Sequence, residues 1–124
     1  MTNWTNEELT RIGDAEELRI ASLRRDGTVG PFVTIWVVRV EDHLYVRSAY
    51  GADSPWFRRA KASGAGRIRA GGIERDVTFA APGAESPDAI DAAYHAKYDR
   101  HGPALVAAVT GPTASPNTLR LLPR

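Results

Sequence analysis

The stretch that most limits what this chain can fold into is "PFVTIWVVRV", Pro31 to Val40. Between Phe32 and Val38 the only polar side chain is Thr34, and Val33, Thr34, Ile35, Val37 and Val38 are all β-branched. Such residues lose side-chain freedom in a helix and pack well on a pleated surface, so the run reads as a strand. It is also far short of the roughly 18 apolar residues that would cross a bilayer. Alternation places Phe32, Thr34, Trp36 and Val38 on one face and Val33, Ile35 and Val37 on the other, so neither face is made for water. An antiparallel strand of this kind has to be covered on both sides, deep in the fold or under a second subunit. A homodimer is the expectation.

The neighbours of this strand define a sheet. Asp26-Gly27 separates it from the apolar run "LRIASL", and the positive φ that glycine tolerates makes that pair a hairpin signal. On the other side, "EDH" leads into "LYVRSA", giving three consecutive antiparallel strands. A two-residue turn there puts Thr34 and Trp36 on the same face as Tyr45 and Arg47, and a three-residue turn puts them on opposite faces. The spacing leaves both open. A second hairpin, "GRIRAGGIERDVTF", turns at Gly71-Gly72, which predicts Ala70 opposite Ile73, Arg69 opposite Glu74, Ile68 opposite Arg75 and Arg67 opposite Asp76. Opposite charges then face each other across the strands.

Helices punctuate the strands. Thr5 and Glu8 form a capping box at the start of a helical segment within residues 1–17. Ser54-Pro55 starts a helix through "WFRRAKAS", and Ser86-Pro87 starts another with Ile90, Ala93, Tyr94, Lys97 and Tyr98 on one stripe. "PALVAAVT" reads as a short helix and "NTLRLL" as a closing strand. The prediction is an α+β fold: one domain over 1–124, a small antiparallel split β-barrel of about six strands. A short helix follows strand three, and one or two helices precede the last strand.

Several chemistries are excluded or unsupported. The 124-residue chain has no cysteine, which removes disulfides, thiolate metal sites and cysteine nucleophiles. His43, His95 and His101 do not share a ligand spacing, so no metal site is expected, and no G-x-S-x-G, G-x-G-x-x-G or P-loop is present. Residues 1–18 are acidic without an apolar export core, which makes a cytoplasmic location, with no membrane partner, the default expectation. Net charge is +1, yet residues 19–75 carry bases at 19, 24, 25, 39, 47, 58, 59, 61, 67, 69 and 75 against acids at 26, 41, 42, 53 and 74. That local excess favours an anionic small molecule as partner.

The candidate site is the stretch "YVRSAYGADSPWFRRA", Tyr45 to Ala60. Arg47, Ser48, the helix start at Ser54-Pro55 and one of Arg58 or Arg59 could converge on a phosphate, since arginine grips phosphate oxygens bidentately and a helix N-terminus offers free N–H groups. Trp36 and Trp56 beside it suggest a ligand with a flat ring. The structural alternative is an amphipathic helix with Trp56 and Phe57 in the core and its cations in water. A single-strand nucleic-acid binder is a further reading, though such proteins show a larger basic excess than +1.

The order "FVTIWVVRVEDHLYVRSAYG", then "SPWFRRAKAS", then a strand pair, then "LRLLP" resembles the flavin-binding split-barrel superfamily, with its pyridoxamine 5'-phosphate oxidase-like and deazaflavin-dependent nitroreductase-like branches. The likeness covers roughly residues 15–124 and is closest to a family of small bacterial proteins within that superfamily. It implies FMN or a deazaflavin, with the ring along Thr34, Ile35, Trp36 and Val37. Arg47, Ser48, Ala49 and Tyr50 would lie at the phosphate or ring edge, and Trp56 with Arg58 or Arg59 would come from the following helix. It also implies a homodimer with the ligand near the interface and hydride transfer to a small electrophile, for which Tyr50 and Tyr98 are the candidate proton donors. A barrel that binds a small ligand without catalysis is the alternative. Two departures stand out: Ser54 is followed by Pro55 rather than lysine, and "YGADSPW" has one glycine where the deazaflavin branch tends to have two.

Overall fold

Gly71 and Gly72 adopt φ values of 57° and 82°, and the turn they make sets the register of the strands on either side. In the structure, a computed structural model that describes residues 3–83 and 85–124, β5 (Ala65–Ala70) and β6 (Ile73–Ala80) pair as the charges predict. Arg69 lies opposite Glu74, and Arg67 lies opposite Asp76 with its Nε 2.8 Å from the carboxylate. Gly71 has a second reason to be glycine: a Cβ there would come within 2.2 Å of the Arg11 carbonyl oxygen.

The apolar run behaves differently. Instead of one strand it forms two, β2 (Val33–Ile35) and β3 (Val38–Val40), with the chain breaking pattern at Trp36 and Val37. β2 pairs with β1 (Leu18–Ser22), whereas β3 pairs with β4 (His43–Arg47). With β7 (Thr118–Pro123) the sheet order is β2-β1-β5-β6-β7-β4-β3, antiparallel throughout. The two halves of one segment therefore occupy the two opposite edges of a seven-stranded sheet. Because only two residues join them, the sheet must curl until its edges meet, and the break is the split of the barrel. The expected count of about six strands becomes seven for this reason. The turn after β3 has two residues, Glu41 and Asp42, with Val40 opposite His43.

Helices cover what the sheet leaves open. α1 (Asn6–Asp14) carries the expected capping box, Thr5 Oγ1 accepting from the Glu8 N–H and Glu8 Oε1 accepting from the Thr5 N–H. It buries Leu9 and Ile12, each worth about 2 kcal/mol of transfer free energy. Arg75 pairs with Glu8, and Trp4 Nε1 donates to the Leu121 carbonyl at 2.9 Å, which fastens the segment to the sheet. α2 (Pro55–Ser63) buries Trp56, Phe57 and Ala60 and stops at Gly64, whose φ of 73° closes the helix.

α3 (Pro87–Tyr98), capped by Ser86 through the Ala89 N–H, lies on the far side of the sheet, followed by α4 (Pro103–Ala107) and α5 (Gly111–Ala114). β4 is consequently buried on both faces. Leu44 and Val46 join the core inside the curl, while Tyr45 joins Val38, Ile90, Tyr94, Tyr98, Val106 and Val109 under the helices. The second cover required by the apolar run is supplied in part by α3. No described helix is long and apolar enough to cross a membrane.

Candidate functional site

A cleft of about 600 Å³ opens where the barrel is split, a size in the range of small-molecule sites. One wall is the outer edge of β2 with Val33, Thr34, Ile35 and Trp36; another is the head of α2 with Ser54, Pro55, Trp56 and Arg59. α4 and the residues after it add Leu105, Ala108 and Val109, and Arg47, Ala49 and Tyr50 complete the lining with Glu17. Because β2 is an edge strand, backbone N–H and C=O groups on that side have no strand partner and are open to a ligand.

Most predicted site residues meet here. Thr34, Trp36, Arg47, Ala49, Tyr50, Ser54, Trp56 and Arg59 all line the cleft. Val37, Ser48, Arg58 and Tyr98 do not. Val37 is fully buried behind the break, and the Ser48 hydroxyl shapes the β4–α2 turn by donating to the Gly51 carbonyl at 2.7 Å and accepting from the Tyr50 N–H at 3.3 Å. Arg58 is exposed on α2 and is not part of the cleft lining. The Tyr98 ring stacks on Trp36 at 4.0 Å and 5°, one layer behind the wall. Burial pushes the Tyr98 phenol up to about 12, and its hydroxyl bonds to backbone groups, so it faces no ligand.

Arg47 has a different task from the one expected. Its side chain has no exposed surface. Nε donates to Thr118 Oγ1 at 2.8 Å, Nη1 to the Val109 carbonyl at 2.9 Å and to Asp91, and Nη2 to the Pro87 carbonyl at 3.3 Å. Of five guanidinium N–H groups, four are engaged inside the chain, and Asp91 also accepts from the Gly111 N–H. The residue ties β4 and β7 to α3 and to the segment after α4. Among the described residues that line the cleft, the exposed cation is Arg59.

The head of α2 fits an anion. Pro55 has no N–H, and the N–H groups of Trp56 and Phe57 precede the first intrahelical bond, which Arg58 makes to the Ser54 carbonyl. Ser54, 6% exposed, sits at the N-cap and lines the cleft, yet its hydroxyl makes no capping bond. A buried hydroxyl and two free N–H groups at the positive end of a nine-residue helix are suited to a phosphate or carboxylate. The apolar and aromatic walls suit a flat ring, so the residues present fit a flavin-type group in both of its parts.

Glu17, Leu105, Ala108 and Val109 were not predicted. Leu105 and Val109 stand four apart in "PALVAAV", which marks them as one face, but only the folded chain places that face across from β2. Of the bases between residues 19 and 75, Arg39, Arg47, Arg67, Arg69 and Arg75 are in ion pairs, which removes much of the surface a polyanion would need. Among the described residues no group of three or more acidic or histidine side chains could hold a metal.

No curated protein matches the chain in sequence. Solved structures do match in fold. A Listeria innocua protein described as a candidate pyridoxamine 5'-phosphate oxidase superposes with a TM-score of 0.61 at 12% identity, over 96% of this chain and 92% of that one. An F420 reductase gives 0.52 at 19% identity, over 94% and 90%. A conserved hypothetical protein, Rv2991, from Mycobacterium tuberculosis gives 0.58 at 12% identity, over 98% and 81%. The fold is thus the antiparallel split barrel that the resemblance implied. A family model described as "Uncharacterized protein conserved in bacteria (DUF2255)" matches residues 8–121, and the chain belongs to that family.

Proposed function

We propose that this protein binds FMN or a deazaflavin in the cleft at the barrel split and uses it to pass a hydride to a small electrophile. The observation that carries the reading is an apolar, aromatic cleft that opens beside a helix head whose N–H groups suit an anion. The open edge of β2 offers donors and acceptors to the polar edge of the ring, Trp36 and Trp56 supply apolar walls, and Ser54, the α2 N-terminus and Arg59 receive the anionic group. The fold shared with an F420 reductase and with a candidate pyridoxamine 5'-phosphate oxidase supports this choice of ligand class. When bound, the cofactor supplies the redox chemistry, and the chain's part is to orient it and limit water. Tyr50, 87% exposed and part of the cleft lining, is the hydroxyl assigned in this reading to hold a proton for the product. Tyr50 and Leu105 are also large apolar side chains left in solvent beside the cleft, which supports a homodimer that covers its mouth, in keeping with a soluble cytoplasmic enzyme.

Titration of the purified protein with FMN and with F420, followed by cofactor absorbance and fluorescence, tests the reading. Micromolar binding is expected for one of them, and Arg59→Ala should weaken it about tenfold, the size of one lost charge-assisted bond. Absence of binding by either cofactor at millimolar concentration would overturn it. Binding without turnover of any electrophile would instead support the non-catalytic barrel.

A further inference from the structure

The break between β2 and β3 leaves a polar backbone buried where no strand can serve it, and two adjacent residues at the end of α3 serve it instead. Val37 is fully buried. Its N–H donates to the Tyr98 hydroxyl at 3.2 Å, and its carbonyl accepts from Lys97 Nζ at 2.7 Å. The Tyr98 oxygen also lies 2.9 Å from the Glu16 carbonyl and 3.1 Å from the Val37 carbonyl. A phenol has one proton, and since Lys97 already serves Val37 O, that proton goes to Glu16. The backbone accounting then closes: one hydroxyl joins the Val37 N–H to the Glu16 carbonyl ahead of β1, and one ammonium completes Val37.

The same tyrosine sets the cleft wall. Its ring stacks on Trp36 at 4.0 Å and 5°, and Trp36 is part of the cleft lining. Glu16 is held in turn by Arg100 and His101, which follow Tyr98 closely in the chain, and His101 lies 5.6 Å from the Trp36 ring. Tyr94, one helical turn earlier, makes a comparison within the same helix: it is equally buried, but its hydroxyl has no hydrogen-bond partner among the described residues.

From this geometry we infer that Tyr98, assisted by Lys97, is the positioning residue of the ligand cleft: its hydroxyl fixes the severed strand at Val37 and its ring fixes the plane of Trp36. The inference rests on the proposed flavin reading for its ligand, but its structural half can be measured without one. In the full chain, amide hydrogen exchange at Val37 and the Trp36 indole resonance are compared for wild type, Tyr98→Phe, Lys97→Met and Tyr94→Phe, and the dissociation constants for FMN and F420 are measured alongside.

Tyr98→Phe should speed Val37 exchange and weaken binding of the cofactor that wild type takes up, each by about tenfold, the size of one buried hydrogen bond. Lys97→Met should do the same to a smaller degree, and Tyr94→Phe should change neither. Ile90→Val, a core change in the same buried cluster but two helical turns before Tyr98 on α3, controls for plain destabilisation. The inference is overturned if Tyr98→Phe leaves Val37 exchange and the Trp36 signal as in wild type. It is also overturned if exchange rises but affinity holds, or if Ile90→Val weakens binding as much at equal loss of Tm. If wild type binds neither cofactor, the flavin reading fails, and Val37 exchange with the Trp36 signal still decides for or against the positioning role.

Discussion

The β5–β6 hairpin and the β2–β3 segment are both short runs around a strand-forming sequence, and they reach their structures by opposite routes. In the hairpin, the turn, the register and the charge pairs are all local, with partners no more than thirteen residues apart, Arg67 on Asp76 and Arg69 on Glu74 among them. In the segment, the strand pattern is stronger, yet it is cut at Trp36–Val37, and the cut is held by Tyr98 and Lys97, some 60 residues away. A strong local preference can be overruled where distant side chains satisfy the backbone better than a continued ladder would. The cleft exists because of that interruption.

Changes at each region should separate the two routes. The largest effect belongs to the distant contacts: Arg47→Met leaves Asp91 without its cation and three acceptors without their donor, and should cost about 3–5 kcal/mol in denaturant unfolding. A loss below about 1 kcal/mol would show that Arg47 is not structural and return it to the ligand. Next comes Gly66→Ala on the hairpin, where a Cβ would stand 2.0 Å from the Ala21 carbonyl oxygen and 2.7 Å from the Phe79 ring; overpacking of this kind costs on the order of 2–3 kcal/mol. Its retention at wild-type stability would mean that β1 and β5 can part without penalty.

Tyr98→Phe should follow at about 1–2 kcal/mol, because it strands a buried N–H and a carbonyl, while Tyr94→Phe should be neutral or stabilising. The local charge pairs are half-exposed, so Arg69→Gln or Asp76→Asn should change stability by less than about 0.5 kcal/mol. A larger effect would make the hairpin depend on its ions rather than on its glycine turn.

The pH dependence probes the distant contacts a second way. Burial pushes the Lys97 ammonium down from 10.5 to about 8, with Glu16 and Asp14 raising it and Arg100 lowering it. Below pH 8 both folded and unfolded chains keep the proton, and the desolvation cost is present in full. Between about 8 and 10.5 the folded chain releases it while the unfolded chain holds it, so stability should rise with pH in that window. Relative to Lys97→Met, whose profile lacks this contribution, the difference in Tm should grow from pH 8 to 10; a flat difference would place Lys97 in solvent.

Much of the fold was legible because its signals act over a few residues. The capping box of Thr5 and Glu8, the Ser86-Pro87 start of α3 and the pairing around Gly71-Gly72 each concern atoms that chain connectivity already brings close. The stretch from Tyr45 to Ala60 supplies much of the lining of the cleft, and the split barrel was legible through its order of elements. The roles inside that stretch were not. Arg47 and Arg59 look alike in sequence, yet one is enclosed by Asp91, Thr118, Pro87 and Val109, and the other is exposed on the cleft lining.

The sequence by itself determined which segments are strands and helices, where the hairpins turn, and that an apolar run with two dry faces needed cover. The tertiary structure alone decided where that run breaks, which arginine is structural, and that Tyr98 stands behind the wall rather than in the cleft. The reason is that buried hydrogen-bonding groups must all be satisfied at once, and the partner that satisfies each is chosen by three-dimensional closure rather than by neighbours along the chain.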